Sequence, residues 1–169
     1  MFFIKYILIF FIVIISARIG KIYSKKYINR VKELESIKQI LNELKTKIKF
    51  TYKPLQDIFY EIASNHHDNI GKIFESISNN MKDIDLKEAW EKEIKESDNS
   101  LSKEDIEILL SIGKVLGTTD VEGQINQIIL AEELIENKIK EAEIEKAKNA
   151  KLYRVLGTSA GLTLAIILI

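Results

Sequence analysis

His66, His67 and Asp68 place in consecutive positions the side chains best able to ligate a metal ion or move a proton. The two histidines are the only ones in the chain, and so its only natural general bases near neutral pH. A metal needs converging ligands, but neighbours in sequence do not share a helix face. No second histidine or cysteine group supplies further ligands, because cysteine is absent. The tripeptide reads as a solvated loop between two helices. Lack of cysteine also removes disulfide and thiolate chemistry and fits a reducing compartment. No serine–histidine–acid arrangement stands out among the many carboxylates. The expectation is a non-enzymatic chain with no catalytic residue, metal, cofactor or small-molecule substrate.

The sharpest motif is Gly113-Lys-Val-Leu-Gly117, followed by Thr118-Thr119-Asp120. Glycines four apart let another backbone approach, and Gly117 suits the left-handed position that closes a helix. Asp120 falls in the first turn of the next helix, where its charge meets the positive dipole end. Nothing in this corner requires a ligand. It is not a phosphate loop, since no strand leads into it and no lysine–serine pair follows. A second small-residue pattern, Gly157-Thr-Ser-Ala-Gly161, lies in an apolar helix and makes a close-packing face. Ser16 and Gly20 form a similar pair four apart. In an antiparallel hairpin Gly20 would meet Gly157 and Ser16 would meet Gly161. These faces either pack together or assemble with another membrane protein.

Both ends of the chain are written for lipid. Residues 2–17 read FFIKYILIFFIVIISA, with Lys5 as the only charge, and residues 155–169 carry none. About twenty apolar residues cross a bilayer as a helix, so flanking residues such as Leu152 and Tyr153 must help. Arg18, Lys21, Lys25, Lys26, Arg30 and Lys32 follow the first run before any acid, and Lys146, Lys148, Lys151 and Arg154 precede the second. Basic residues at span ends stay cytoplasmic. Both flanks therefore place the middle of the chain in the cytoplasm. A cleaved signal peptide would carry its charge before the apolar run. The expected organisation is a transmembrane helix over 1–20, a cytoplasmic helical domain over 21–151 and a transmembrane helix over 152–169.

The chain balances 25 basic against 25 acidic residues, which gives no global field for nucleic acid. The segment Asp83–Glu107 holds ten acids against four lysines. Repelled by anionic headgroups, it is either a solvated face or a surface offered to a partner, with Glu88, Glu91 and Glu104 as the candidate contacts.

Apolar spacing predicts the helices. Leu34, Ile37, Leu41, Leu44 and Ile48 alternate steps of three and four, a stripe that continues the first span as one long helix. Pro54 breaks it. A second helix runs from Leu55 to about Ser64-Asn65, and Asn69 is placed to cap a third. Asp85 with Glu88 opens a fourth, burying Trp90, and Ser102 caps a fifth that runs to Gly117. Thr119 with Glu122 spells a capping box for a sixth helix, which runs unbroken into the second span. Glu132 intrudes on its stripe and is expected either to pair with a lysine or to mark where the stripe drifts. No strand alternation appears, so the fold class is all-α, a six-helix bundle between two transmembrane helices. A different class of reading is a membrane-tethered scaffold that self-associates through the Leu34–Ile48 and Val121–Ala142 stripes as a coiled coil.

The terminal apolar runs, the FTYKPL segment at Phe50–Leu55, Trp90 and the corner IGKVLGTTDVEGQ at Ile112–Gln124 occur in an order that resembles the stage III sporulation protein AB family of endospore-forming bacteria. The resemblance covers essentially the whole chain. Lys53 departs from it, standing where such segments commonly carry threonine. Gly113, Gly117 and Asp120 also resemble the corner of the cytoplasmic six-helix domain of type II secretion and type IV pilus platform proteins. The resemblance implies a subunit of a secretion-like complex between mother cell and forespore, in the mother-cell membrane around the forespore. It implies a cytoplasmic domain that docks a secretion-type ATPase to ring-forming membrane proteins.

Overall fold

The computed structural model describes residues 2–168, the side chains of residues 2–6 and 8 excepted, so the Lys5 side chain lies outside the described residues. The fold is all-α. Its six helices are α1 (Phe2–Phe50), α2 (Leu55–Asn65), α3 (Asn69–Asn80), α4 (Leu86–Glu96), α5 (Lys103–Gly113) and α6 (Val121–Leu168), and no strand occurs among the described residues. The apolar ends thus continue without a break into α1 and α6.

The chain divides into two compact units, Met1–Val31 with Glu141–Ile169, and Lys32–Lys140. The division lies deeper in the chain than the ends of the apolar runs, because α1 and α6 remain paired beyond them. Tyr27 stacks on Tyr153 with ring centroids 5.8 Å apart, and Arg30 Nη1 donates to Glu145 Oε2 at 2.6 Å.

In the central unit the α1 stripe is consumed by the core. Leu34, Ile37, Ile40, Leu41 and Leu44 are all essentially inaccessible. α2 packs on α3, α3 on α4 and α4 on α5. Phe59, Phe74 and Trp90 come from α2, α3 and α4, with centroids 5.5–5.9 Å apart. Buried indoles need a partner for the N–H. Trp90 Nε1 donates to the Leu109 carbonyl at 2.9 Å, which brings α5 to the same point. α6 adds Ile128, Ala131 and Ile135. Glu132, the intruder on that stripe, pairs with Lys45 of α1.

Several helix ends differ from the sequence reading. Asp68, with extended backbone, caps α3 by accepting from Gly71 N–H at 2.8 Å; Asn69 is already helical. The Asn69 amide donates to the Asp98 carbonyl at 2.7 Å and to Glu33 Oε1 at 3.2 Å. α5 stops at Gly113, not Gly117. Three-residue turns follow, with Val115 N–H to Ile112 O at 3.0 Å and Thr118 N–H to Val115 O at 3.1 Å. Such tighter bonds satisfy carbonyls at a helix end. At α6 Asp120 is the cap, accepting from Gly123 N–H at 2.9 Å, while the Thr119 hydroxyl donates back to Val115 O at 3.3 Å. Asp85 and Ser102 cap as expected, Ser102 in a reciprocal box with Asp105.

The FTYKPL turn works without the threonine. Pro54 provides no side-chain cap for α2, and Tyr52 sits at φ 51°. Lys53 reaches forward to Glu61 instead, which also accepts from Lys47 at 2.8 Å. The Lys47 and Lys53 ammonium groups hold the Glu61 carboxyl down to about 2.

Glu33 is the most informative buried charge. Its carboxylate accepts from Ser100 N–H at 2.7 Å and from Asn69, tying the α4–α5 loop and the start of α3 to α1. Burial pushes its pKa up, against the pull of those two hydrogen bonds, and Asp98 and Asp68 push it further. The native chain therefore holds this proton more tightly than the unfolded chain. Stability must fall as pH rises from the ordinary glutamate value through the folded one. In Glu33→Gln that component of the slope vanishes: above about pH 4.3 wild type should lose stability relative to the variant. Urea unfolding at a series of pH values tests it, and parallel curves would show that Glu33 does not titrate in this way.

Candidate functional site

Two places draw the singled-out residues together, and both are made by backbone approach. At the corner, the indole of Trp90 lies over Gly113, where a Cβ would come within 2.3 Å of Trp90 Cδ1. Gly117 has φ 72°, the left-handed backbone that an L side chain rarely adopts. Leu55 and Leu86 stand at ordinary contact distance from it, so conformation and not crowding demands glycine there. Asp120 closes the corner through its cap on α6.

Sequence reading missed Gln124. It is buried, accepting from Gly117 N–H at 3.2 Å and donating to the Thr119 carbonyl at 2.9 Å. One amide thus satisfies both sides of the turn. It lies four residues before the buried Ile128, on the same face of α6. The Gln124 amide, the Asp120 carboxylate and the Thr118 and Thr119 hydroxyls of this corner all bond to backbone and hold chain against chain.

The second place is in the terminal unit. Ser16 Oγ donates to the Gly157 carbonyl at 2.6 Å. A Cβ on Gly20 would stand 2.6 Å from Tyr153 O and 2.8 Å from Gly157 Cα; one on Gly161 would stand 3.1 Å from Ser16 Cβ. Ser16, Gly20, Gly157 and Gly161 thus lie in one contact, Gly20 beside Gly157 and Ser16 beside Gly161. The outside of this pair is apolar: Phe10, Phe11, Ile15 and Ile19 of α1 and Leu156, Leu162, Ile166 and Ile167 of α6 are all exposed.

The remaining candidates do not form a site of this kind. His66 is not solvated: it is half-buried, with Nε2 at 3.0 Å from Glu43 Oε2, because the α2–α3 loop folds onto α1. His67 and Asp68 are exposed, and Asp68 is spent as a cap. Glu88 and Glu91 lie on the exposed side of α4, Glu91 paired with Lys95. Glu104 opens α5 and faces Lys138 of α6 at 3.5 Å. Leu109, level with Trp90, is five residues further along α5, about 7.5 Å of helix rise.

The molecule so described is a helical protein whose long C-terminal helix, Val121–Leu168, has a window long and apolar enough to cross a membrane, with only 6% of that window buried. The family model for stage III sporulation protein AB matches residues 5–169. Stage III sporulation protein AB of Bacillus subtilis strain 168 is 31% identical over 162 residues, covering 94% of this chain and 95% of the relative. A solved structure of stage III sporulation protein AB superimposes with a TM-score of 0.65 at 25% identity, over 71% of this chain and 98% of that one. The chain belongs to the stage III sporulation protein AB family. It has a role in sporulation.

Proposed function

We propose that this chain is a two-pass membrane subunit of a secretion-like complex between mother cell and forespore. Its helical bundle faces the mother-cell cytoplasm and docks a secretion-type ATPase to ring-forming membrane proteins. The observation that carries this reading is the terminal helix pair, joined at a small-residue seam and largely apolar on its outside above the basic residues, within a chain of this sporulation family. The exposed Thr158, Ser159 and Thr163 hydroxyls there bond back to their own helix. Such a pair suits lipid, where small residues let helices approach and apolar side chains meet acyl tails. The basic residues at the inner ends of both runs support a cytoplasmic central unit. Gly113, Gly117 and Asp120 serve as the structural corner of that domain, and the exposed acids of α4 and α5 offer the partner surface.

Pull-down of the cognate ATPase by full-length protein in detergent tests the contact. Charge reversal at Glu88 should weaken capture most, because Glu91 and Glu104 already face lysines. The triple reversal Glu88→Lys, Glu91→Lys and Glu104→Lys is expected to reduce it about tenfold or more, in line with like-charge juxtaposition at an interface. Capture indifferent to the triple change would remove α4 and α5 as the docking face. The coiled-coil scaffold reading has no support from the core, since the Leu34–Ile48 stripe is already buried within the chain.

A further inference from the structure

The terminal unit carries a band of unpaired positive charge. No acid occurs before Glu33 or after Glu145. Arg18, Lys21, Lys25 and Lys26 on α1 and Lys148, Lys151 and Arg154 on α6 are exposed, and Lys146 is half-buried. None of these eight makes an ion pair among the described residues; Arg30, deeper in the seam, is the one held by Glu145. Tyr23 and Tyr27 both stack on Tyr153 within the same band, with centroids 5.7 and 5.8 Å apart. Aromatic rings of this kind favour the headgroup level of a bilayer.

The spread of these charges identifies what they meet. At about 100° per residue, the α6 set covers roughly 200° of its helix and the α1 set roughly 140°. A protein partner reads one face, whereas a lipid leaflet surrounds the helices. The charges run from Arg18 to Lys26 and from Lys146 to Arg154, eight residue steps on each helix and about 12 Å of rise. That matches a headgroup layer of about 5–7 Å plus a Debye length of about 8 Å.

We propose that this band is a collar that binds the phosphates of anionic glycerophospholipids and holds a shell of them around the helix pair. The proposal rests on the two-pass insertion argued above. It gives the small-residue seam a second consequence: by bringing α1 and α6 together, the seam concentrates both basic sets at one level, where each charge favours anionic lipid by about five-fold.

The full chain, reconstituted in bilayers of equal parts phosphatidylcholine and phosphatidylglycerol, is released by native mass spectrometry and its retained lipids are counted. The ratio of phosphatidylglycerol to phosphatidylcholine among the retained lipids should be about five or more, against one in the bulk bilayer. The variant Lys21→Gln, Lys25→Gln, Lys26→Gln, Lys148→Gln and Lys151→Gln should lose that enrichment, while the same five positions changed to Arg should keep it. Resistance to alkaline carbonate extraction and labelling of Asn99→Cys from one side establish that every variant is inserted in the same orientation. Enrichment that is absent in the inserted wild type, or that survives the glutamine changes, overturns the collar and leaves the two-pass reading standing. A wild-type chain released by carbonate overturns both.

Discussion

Gly71→Ala is expected to be the most destabilising single-methyl change in the central unit. Gly71 lies in the first turn of α3, and an added Cβ would fall 1.7 Å from the His66 carbonyl oxygen and 2.6 Å from its carbon. That neighbour is backbone, so it cannot rotate away. Relief requires α2 and α3 to move apart, and the junction is held from three directions. His66 N–H donates to Ile62 O at 3.1 Å, Gly71 N–H to Asp68 Oδ1 at 2.8 Å, and His66 Nε2 pairs with Glu43. We expect a loss of about 3 kcal/mol or more, at the upper end for overpacking a tight site. Asp68→Ala, which removes only the cap, should cost about 1 kcal/mol. Urea unfolding of both variants checks the ordering, and an alanine at 71 no worse than the lost cap would show that this approach is not close in solution.

Isoleucine at Gly20 and Gly157 should separate α1 from α6 in the terminal unit. A Cβ on Gly157 would lie 2.7 Å from Gly20 Cα and 2.9 Å from Ser16 O. Here too the obstacle is backbone. Two added side chains must also break the Ser16 hydroxyl bond to the Gly157 carbonyl, set at 2.6 Å. Helix association in lipid depends on packing and such bonds, worth about 1–2 kcal/mol each at most, because apolar side chains gain little by leaving acyl tails. Cysteines placed at Tyr23 and Tyr153, whose rings now stack, should crosslink through a short bismaleimide about tenfold less efficiently in the double variant. Unchanged crosslinking would mean that the small-residue faces are not what joins the helices.

The two changes act on different parts of the fold. Gly71 decides whether a helical hairpin can close within the core. Gly20 and Gly157 decide how nearly two helices can approach where apolar burial no longer drives them together. In both, glycine is required because another backbone occupies the space of a side chain, which no hydrophobicity pattern records.

By itself the sequence determined the all-α class, the break at Pro54 and the stripe of Leu34–Ile48. Periodicity is a local property, and burial in this core follows it closely. The caps at Asp85 and Ser102 were legible for the same reason, each being a short side chain reaching a backbone N–H three residues on. Tertiary structure alone decided the use of Gly71, the clamp by Gln124, and the burial of Glu33 between three segments distant in the chain. It also drew His66 onto Glu43 and ended α5 at Gly113, beneath the Trp90 ring. These features depend on which atoms of remote segments compete for one space or one hydrogen bond. That competition exists only once the helices have packed.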